Sequence, residues 1–329
     1  GDLMQKISTE LTSFVANHDE YATVLFGGSG TAAVESVICS VVPESKTILI
    51  VNNGSYGKRM CEMAEAHSID FYEFKSSEIA PIDIKLLEDC IKKDHSRFSH
   101  LAVVHNETTT GLLNDISALG DLAKKYNLEF IVDAMSSYGA IPIDMNFSSI
   151  KYLIASSNKN LQGMAGIGFV VANRKSIYQL KDVKGKGYYL DLYSQFNYFQ
   201  KQHQMRFTPP VQVAYALYQA ILETKNEGIA NRYKRYSHSW KVLIKGLNEL
   251  GLSYLVDDEF HSRIITAIVL PKSIEFNSMH SYFKAKGITI YPGKIEHHES
   301  FRIANIGAID HQDVELFIKH LKKFLKMAS

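Results

Sequence analysis

Short apolar, β-branched runs recur along the first half of the chain, separated by stretches with apolar residues every three or four positions. Residues 22–26, 47–51, 69–74, 101–104, 129–132, 152–155 and 167–171 read as strands. Helical patterns begin at Thr31 and Tyr56 and cover 84–92 and 117–126. Strands joined through single helices imply right-handed crossovers, hence an α/β class with a mostly parallel sheet flanked by helices on both faces. After Val171 the rhythm changes. A tyrosine-rich polar segment, 188–204, precedes Thr208-Pro209-Pro210, and two long helical patterns then run to about Leu250. Strand 264–270, helix 279–286, strand 301–304 and an amphipathic helix 310–326 complete a smaller C-terminal α/β lobe. The expected domains are 1–215 and 216–329.

Composition narrows the function classes. With 36 Lys+Arg against 35 Asp+Glu the net charge is +1, so binding to nucleic acid or a membrane surface through bulk charge is not expected. No stretch approaches the roughly 18 apolar residues of a spanning helix. Cys39, Cys61 and Cys90 form no CxxC pair and lie in apolar or amphipathic runs, which predicts a reducing, cytoplasmic setting. The chain opens on Gly1 rather than Met, so a longer natural protein is expected.

Gly28-Ser29-Gly30-Thr31-Ala32-Ala33 follows a predicted strand and opens a helix, a setting in which backbone N–H groups and the positive helix end hold a phosphate. The same spacing fits G-x-G-x-x-A of nicotinamide dinucleotide folds, but the next strand ends in Asn52 and Asn53 where that motif needs an acid for the ribose. Two further strand ends carry polar groups. Ile131-Val132-Asp133-Ala134 ends in an aspartate, and Ser156-Ser157-Asn158-Lys159 ends in a lysine among small residues. In a parallel sheet both fall at the carboxyl edge with the Ser29 loop, where open α/β sheets bind ligands. A lysine amine, a carboxylate and a phosphate cradle are the parts that pyridoxal phosphate needs: an amine for its aldehyde, a partner for its ring nitrogen and an anchor. Taken singly, Asp133 also reads as a helix cap and Lys159 as a surface lysine.

His105-Asn106-Glu107-Thr108-Thr109-Thr110-Gly111, Val132-Asp133-Ala134-Met135-Ser136-Ser137, Ser156-Ser157-Asn158-Lys159 and Phe301-Arg302-Ile303-Ala304-Asn305-Ile306-Gly307 together resemble the class V, fold-type I aminotransferases over essentially the whole chain. The Glu-Thr-Thr-Thr-Gly and Ser-Ser-Asn-Lys runs are most similar to the branch that moves the amino group of 2-aminoethylphosphonate to pyruvate. The resemblance implies a pyridoxal 5'-phosphate enzyme with Lys159 as the Schiff-base lysine and Asp133 as the partner of the pyridine nitrogen. It further implies that Ser29, Gly30 and Thr31 form the phosphate loop, that Tyr56 stacks on the cofactor ring, and that Thr108 lies near the ring oxygen. Asn158 joins the cofactor set, Thr208 is implied to reach the cofactor phosphate of the neighbouring subunit in a homodimer with shared active sites, and Arg302 to take the substrate's anionic end. Partners are then a small-molecule amino donor and a keto acid.

The sequence departs from the family pattern at its start, since an extended Pro-Gly-Pro-containing arm usually precedes this point. Arg206 is a candidate extra donor for a phosphonate. His297 and His298, adjacent in sequence, read as a solvated loop rather than a metal site, and no metal is expected. Another class V transaminase, such as alanine:glyoxylate or serine:pyruvate, is the nearest alternative. A cysteine desulfurase is disfavoured, because no cysteine lies in the C-terminal lobe. A nicotinamide dehydrogenase and a non-catalytic cofactor-binding protein remain as readings from other classes.

Overall fold

Alternate residues of each central strand serve two different cores. In a computed structural model that describes residues 1–185, 187–293, 295 and 299–328, Leu49, Val51, Phe130, Val132 and Leu153 pack into one apolar cluster, while Ile48, Ile50, Ile131 and Ile154 pack into another. The period of two along a strand sends neighbours to opposite faces, and here both faces are dry.

The chain divides into two compact units: residues 1–76, 82–105 and 114–229, and residues 77–81, 106–113 and 230–329. Through the chain run β1 (Tyr21–Gly27), β2 (Thr47–Asn52), β3 (Phe71–Lys75), β4 (Phe98–Val104), the short β5 (Asn106–Glu107) and β6 (Leu112–Leu113), β7 (Glu129–Asp133), β8 (Ile150–Ser156) and β9 (Ile167–Asn173). The first unit holds a seven-stranded sheet in the order β1-β9-β8-β7-β4-β2-β3. Adjacent pairs from β8 to β3 are parallel, so the expected mostly parallel α/β sheet is observed. Strand β9 is the exception, antiparallel to both β8 and β1. The β8–β9 connection is too short to hold a crossover helix, so the chain reverses there. That reversal carries Asn158 and Lys159.

Helices α1 (Asp2–Ser13), α4 (Ile84–Lys93), α5 (Ile116–Lys125) and α8 (Val211–Glu227) contribute to the first cluster. Helices α2 (Gly30–Val41), α3 (Ser55–Ala66), α6 (Arg174–Gln179) and α7 (Leu192–Gln202) contribute to the second. Helix α7 lies within the polar tyrosine-rich segment, where periodicity predicts no element. Asp191 caps it through Ser194 N at 2.5 Å, and Leu192, Phe196 and Phe199 form its buried stripe.

The second unit holds α9 (Ile229–Glu249), α10 (Phe276–Lys284) and α11 (His311–Ala328) around a three-stranded antiparallel sheet. Its strands are β10 (Ile265–Val269), β11 (Tyr291–Pro292) and β12 (Ser300–Ala304), with β12 in the middle. Trp240, Leu243, Phe283, Phe301 and Phe317 belong to its separate core. His297 and His298 lie outside the described residues. Among the described residues no helix is long and apolar enough to cross a membrane.

Helix α3 is pressed against the sheet at Gly57, where an added Cβ would stand 2.6 Å from the Val51 carbonyl oxygen and 2.8 Å from Asn52 Cα. Neither obstacle is a movable side-chain tip. Gly57→Ala is therefore expected to lower stability by about 2–4 kcal/mol, read by chemical denaturation, through overpacking against backbone. A loss below about 0.5 kcal/mol would show that the helix can shift freely.

Candidate active site

Parity along β7 decides where Asp133 points. Phe130 and Val132 join one core and Ile131 the other, so Asp133 follows Ile131 onto the face covered by α2 and α3. Tyr56 of α3 and Met135, two residues past Asp133, pack against the same core. Asp133 is buried, 5% exposed, and its Oδ1 accepts a hydrogen bond from Met135 N at 2.9 Å. Its main chain is fixed as well. His105 N donates to the Asp133 carbonyl at 2.9 Å, and the His105 ring is joined through Nδ1 to Ser137 Oγ at 2.8 Å.

Gly30 brings α2 onto this edge. A Cβ there would lie 2.3 Å from Met135 Sδ and 3.2 Å from Ser156 Cβ, so the first turn of α2 touches the segments following Asp133 and preceding Lys159. Gly168 of β9 gives similar room, its added Cβ standing 2.8 Å from the Ser29 carbonyl oxygen. The three segments singled out in the sequence thus meet at one sheet edge.

Asp83, Asp115, Asn173 and Asp191 cap α4, α5, α6 and α7 with their side chains, but Ser29 and Gly54 make no side-chain cap on α2 and α3. The uncapped N–H groups and positive end of α2 suit an anion. Ser29 and Thr31 are exposed there. Asn158 and Lys159 are exposed too, with Asn158 Oδ1 accepting from Ser156 Oγ at 3.0 Å.

Burial pushes the Asp133 carboxyl up to about 6, against lowering by the Met135 N–H and by the cations Arg59 and Lys159. The same burial pushes neutral His105 down to about 4. An acid this poorly compensated suits a cationic partner such as a protonated ring nitrogen. The uncapped anion site, the buried acid and the nearby lysine fit pyridoxal phosphate. Arg59 is the residue that sequence motifs did not mark. It follows Tyr56 by three positions on α3, and that helical spacing was the available signal.

Thr208 is exposed in the first unit and follows Phe207, which stacks on Tyr189 at 5.0 Å between ring centroids; the Tyr189 hydroxyl donates to the Gly27 carbonyl at 3.0 Å. Arg206 is engaged locally, donating from Nη1 to the Tyr188 carbonyl at 3.0 Å and lying over the Tyr188 and Phe207 rings. In the second unit, half-buried Arg302 on β12 donates from Nε to the Pro292 carbonyl and from Nη1 to the Thr108 carbonyl, each at 3.1 Å. The structure therefore joins Thr108 to Arg302 in one unit and gathers Ser29, Gly30, Thr31, Tyr56, Asp133, Asn158 and Lys159 in the other.

The family model for aminotransferase class-V matches residues 1–308. The chain belongs to the class V aminotransferases. It is 41% identical over 325 residues to the 2-aminoethylphosphonate–pyruvate transaminase of Bacillus cereus strain G9842, covering 98% of this chain and 88% of that one. It is 40% identical, with the same coverage, to the protein of that name in Bacillus thuringiensis strain Al Hakam. Among solved structures, the alanine–glyoxylate aminotransferase of Nostoc sp. superposes with a TM-score of 0.91 at 24% identity, over 98% of this chain and 86% of that one. The class V family and the enzyme class read from the motifs are thereby shown.

The buried acid has a cost that can be measured. Because its folded pKa is raised from 3.8 to about 6, its contribution to stability is complete below about 4 and is lost as pH rises through about 6. The difference corresponds to on the order of 3 kcal/mol. Asp133→Asn keeps an acceptor for Met135 N, so it is expected to stabilise the cofactor-free protein at pH 7.5 and leave it unchanged at pH 4. Comparing the two proteins by denaturation across pH cancels the opposite contribution of the buried neutral histidines. Equal stability at both pH values would contradict a desolvated carboxylate.

Proposed function

We propose that the chain is a pyridoxal 5'-phosphate enzyme that transfers the amino group of 2-aminoethylphosphonate to pyruvate, giving phosphonoacetaldehyde and alanine. The convergence of Lys159, Asp133 and the uncapped start of α2 on one sheet edge carries the chemistry, and the relatives' shared name supports the donor. When bound, pyridoxal phosphate supplies a protonated pyridine ring that draws electrons from the carbon bearing the amino group.

The Asp133 carboxylate holds the proton on the ring nitrogen. Ser29, Gly30 and Thr31 would hold the phosphate with the first N–H groups of α2, and Tyr56 would pack against the ring. Lys159 would hold the aldehyde group through Nζ and would move the proton at the substrate carbon as general base. Thr108 and Asn158 complete the cofactor contacts, and Thr208 serves the cofactor phosphate of the partner in a homodimer with shared sites. Arg302 takes the anionic end of donor and acceptor in turn. Two carbonyls hold its guanidinium in orientation, and a planar fork suits phosphonate and carboxylate alike. Burial pushes the Cys39 and Cys61 thiols up to about 11 and 12, which keeps them protonated and unreactive.

Borohydride reduction of the holoenzyme is expected to fix the cofactor on Lys159, and Lys159→Ala to remove both labelling and turnover; label on another lysine would overturn the assignment. In single turnover, 2-aminoethylphosphonate should discharge the visible absorbance of the bound aldehyde cofactor faster than alanine, serine or phosphoserine. Reaction with alanine or serine while 2-aminoethylphosphonate stays inert would instead assign another class V transaminase. Sedimentation should give a dimer, and a fully active monomer would exclude the shared site.

A further inference from the structure

Helix α3 carries an arginine one turn beyond Tyr56. Residues three apart share a helix face, and Arg59 Cζ lies 5.0 Å from the centroid of the Tyr56 ring, within the range of a cation–π contact. The platform is rigid, since Gly57, between the two residues, sits against the Val51 backbone. Arg59 is otherwise exposed, on a helix that covers the sheet face onto which Asp133 points.

Among the described residues, the charged, titratable and hydrogen-bonding groups named around Asp133 come from four elements. Lys159 follows β8, neutral His105 follows β4, the Met135 N–H follows β7 itself, and Arg59 stands on α3. Of the two cations, Arg59 acts on the Asp133 carboxylate more strongly than Lys159. The two also differ in kind. The amine of Lys159 is needed for chemistry and must change its bonding, whereas a guanidinium does not lose its proton in a protein.

We propose that Arg59 is a positioning residue, whose guanidinium covers the Tyr56 ring to fix its plane and supplies a permanent positive charge to the buried Asp133 carboxylate. The inference rests on the reading of Tyr56 and Asp133 as cofactor partners. It assigns Arg59 to cofactor seating rather than to the substrate anion, which an exposed arginine near the site of a phosphonate enzyme would otherwise suggest.

The test titrates pyridoxal phosphate onto the resolved full chain between pH 5.5 and 8.5, then measures KM and kcat at saturating cofactor. Arg59→Met keeps the aliphatic stem and removes the charge. It is expected to weaken cofactor binding about tenfold at pH 7 and to move the acidic limb of binding upward by about half to one unit, with KM for 2-aminoethylphosphonate within about twofold of wild type. Arg59→Lys should return the acidic limb to the wild-type position while recovering only part of the affinity, because an ammonium does not cover the ring as a plane does. An acidic limb of Arg59→Met that superposes on wild type would overturn the proposal. So would a KM raised tenfold or more with cofactor affinity unchanged, which would place Arg59 on the substrate. Failure of the parent reading looks different: wild type would not bind the cofactor, or Asp133→Asn would retain the wild-type acidic limb.

Discussion

A carboxylate at the dry end of a central strand is the constraint around which the first unit is organised. Asp133 sits where β7 leaves the sheet, and among the described residues no lysine or arginine forms a salt bridge with it. Burial without such a pair raises its proton affinity, and the fold retains the penalty. Everything nearby holds the acid still. His105 N binds its carbonyl, Met135 N its side chain, and the His105–Ser137 contact braces the segment that follows. Such a group suits a positive partner, and in the proposed reading a protonated ring nitrogen is that partner.

The sheet supplies the remaining geometry. Parallel strands deliver their carboxyl ends to one edge, and the uncapped start of α2 is pressed into that edge because residue 30 has no side chain. The antiparallel return of β9 serves the same end. It turns the chain just after Ser156, so that Lys159 lies in a reversal beside the α2 start instead of in the first turn of a helix.

Much of this was legible in the sequence because the physics is local. Short uninterrupted apolar runs rich in β-branched residues, such as Ile48-Leu49-Ile50-Val51, fit strands buried on both faces, and polar residues at their ends stand out against them. The direction of β9 was not legible, since Ile167-Gly168-Phe169-Val170-Val171 has the same composition whether its neighbour runs parallel or antiparallel. The β5–β6 hairpin was hidden by its two-residue strands, and α7 by polar residues that outnumber its buried stripe. Asp133 and Lys159 were visible as misplaced polar groups, whereas Thr108, Thr208 and Arg302 entered only through the family resemblance. Arg59 had no such flag: an exposed arginine on a helix is ordinary until the ring beneath it is seen.

The most direct measurement is a site-specific carbon-13 NMR titration of the Asp133 carboxyl, assigned by its absence in Asp133→Asn. Without cofactor the midpoint should lie near 6, and with pyridoxal phosphate bound the group should remain ionised throughout pH 5 to 8. A midpoint near the ordinary value of about 4 in the cofactor-free protein, or one that cofactor leaves unmoved, would contradict a buried acid held ready for the ring nitrogen.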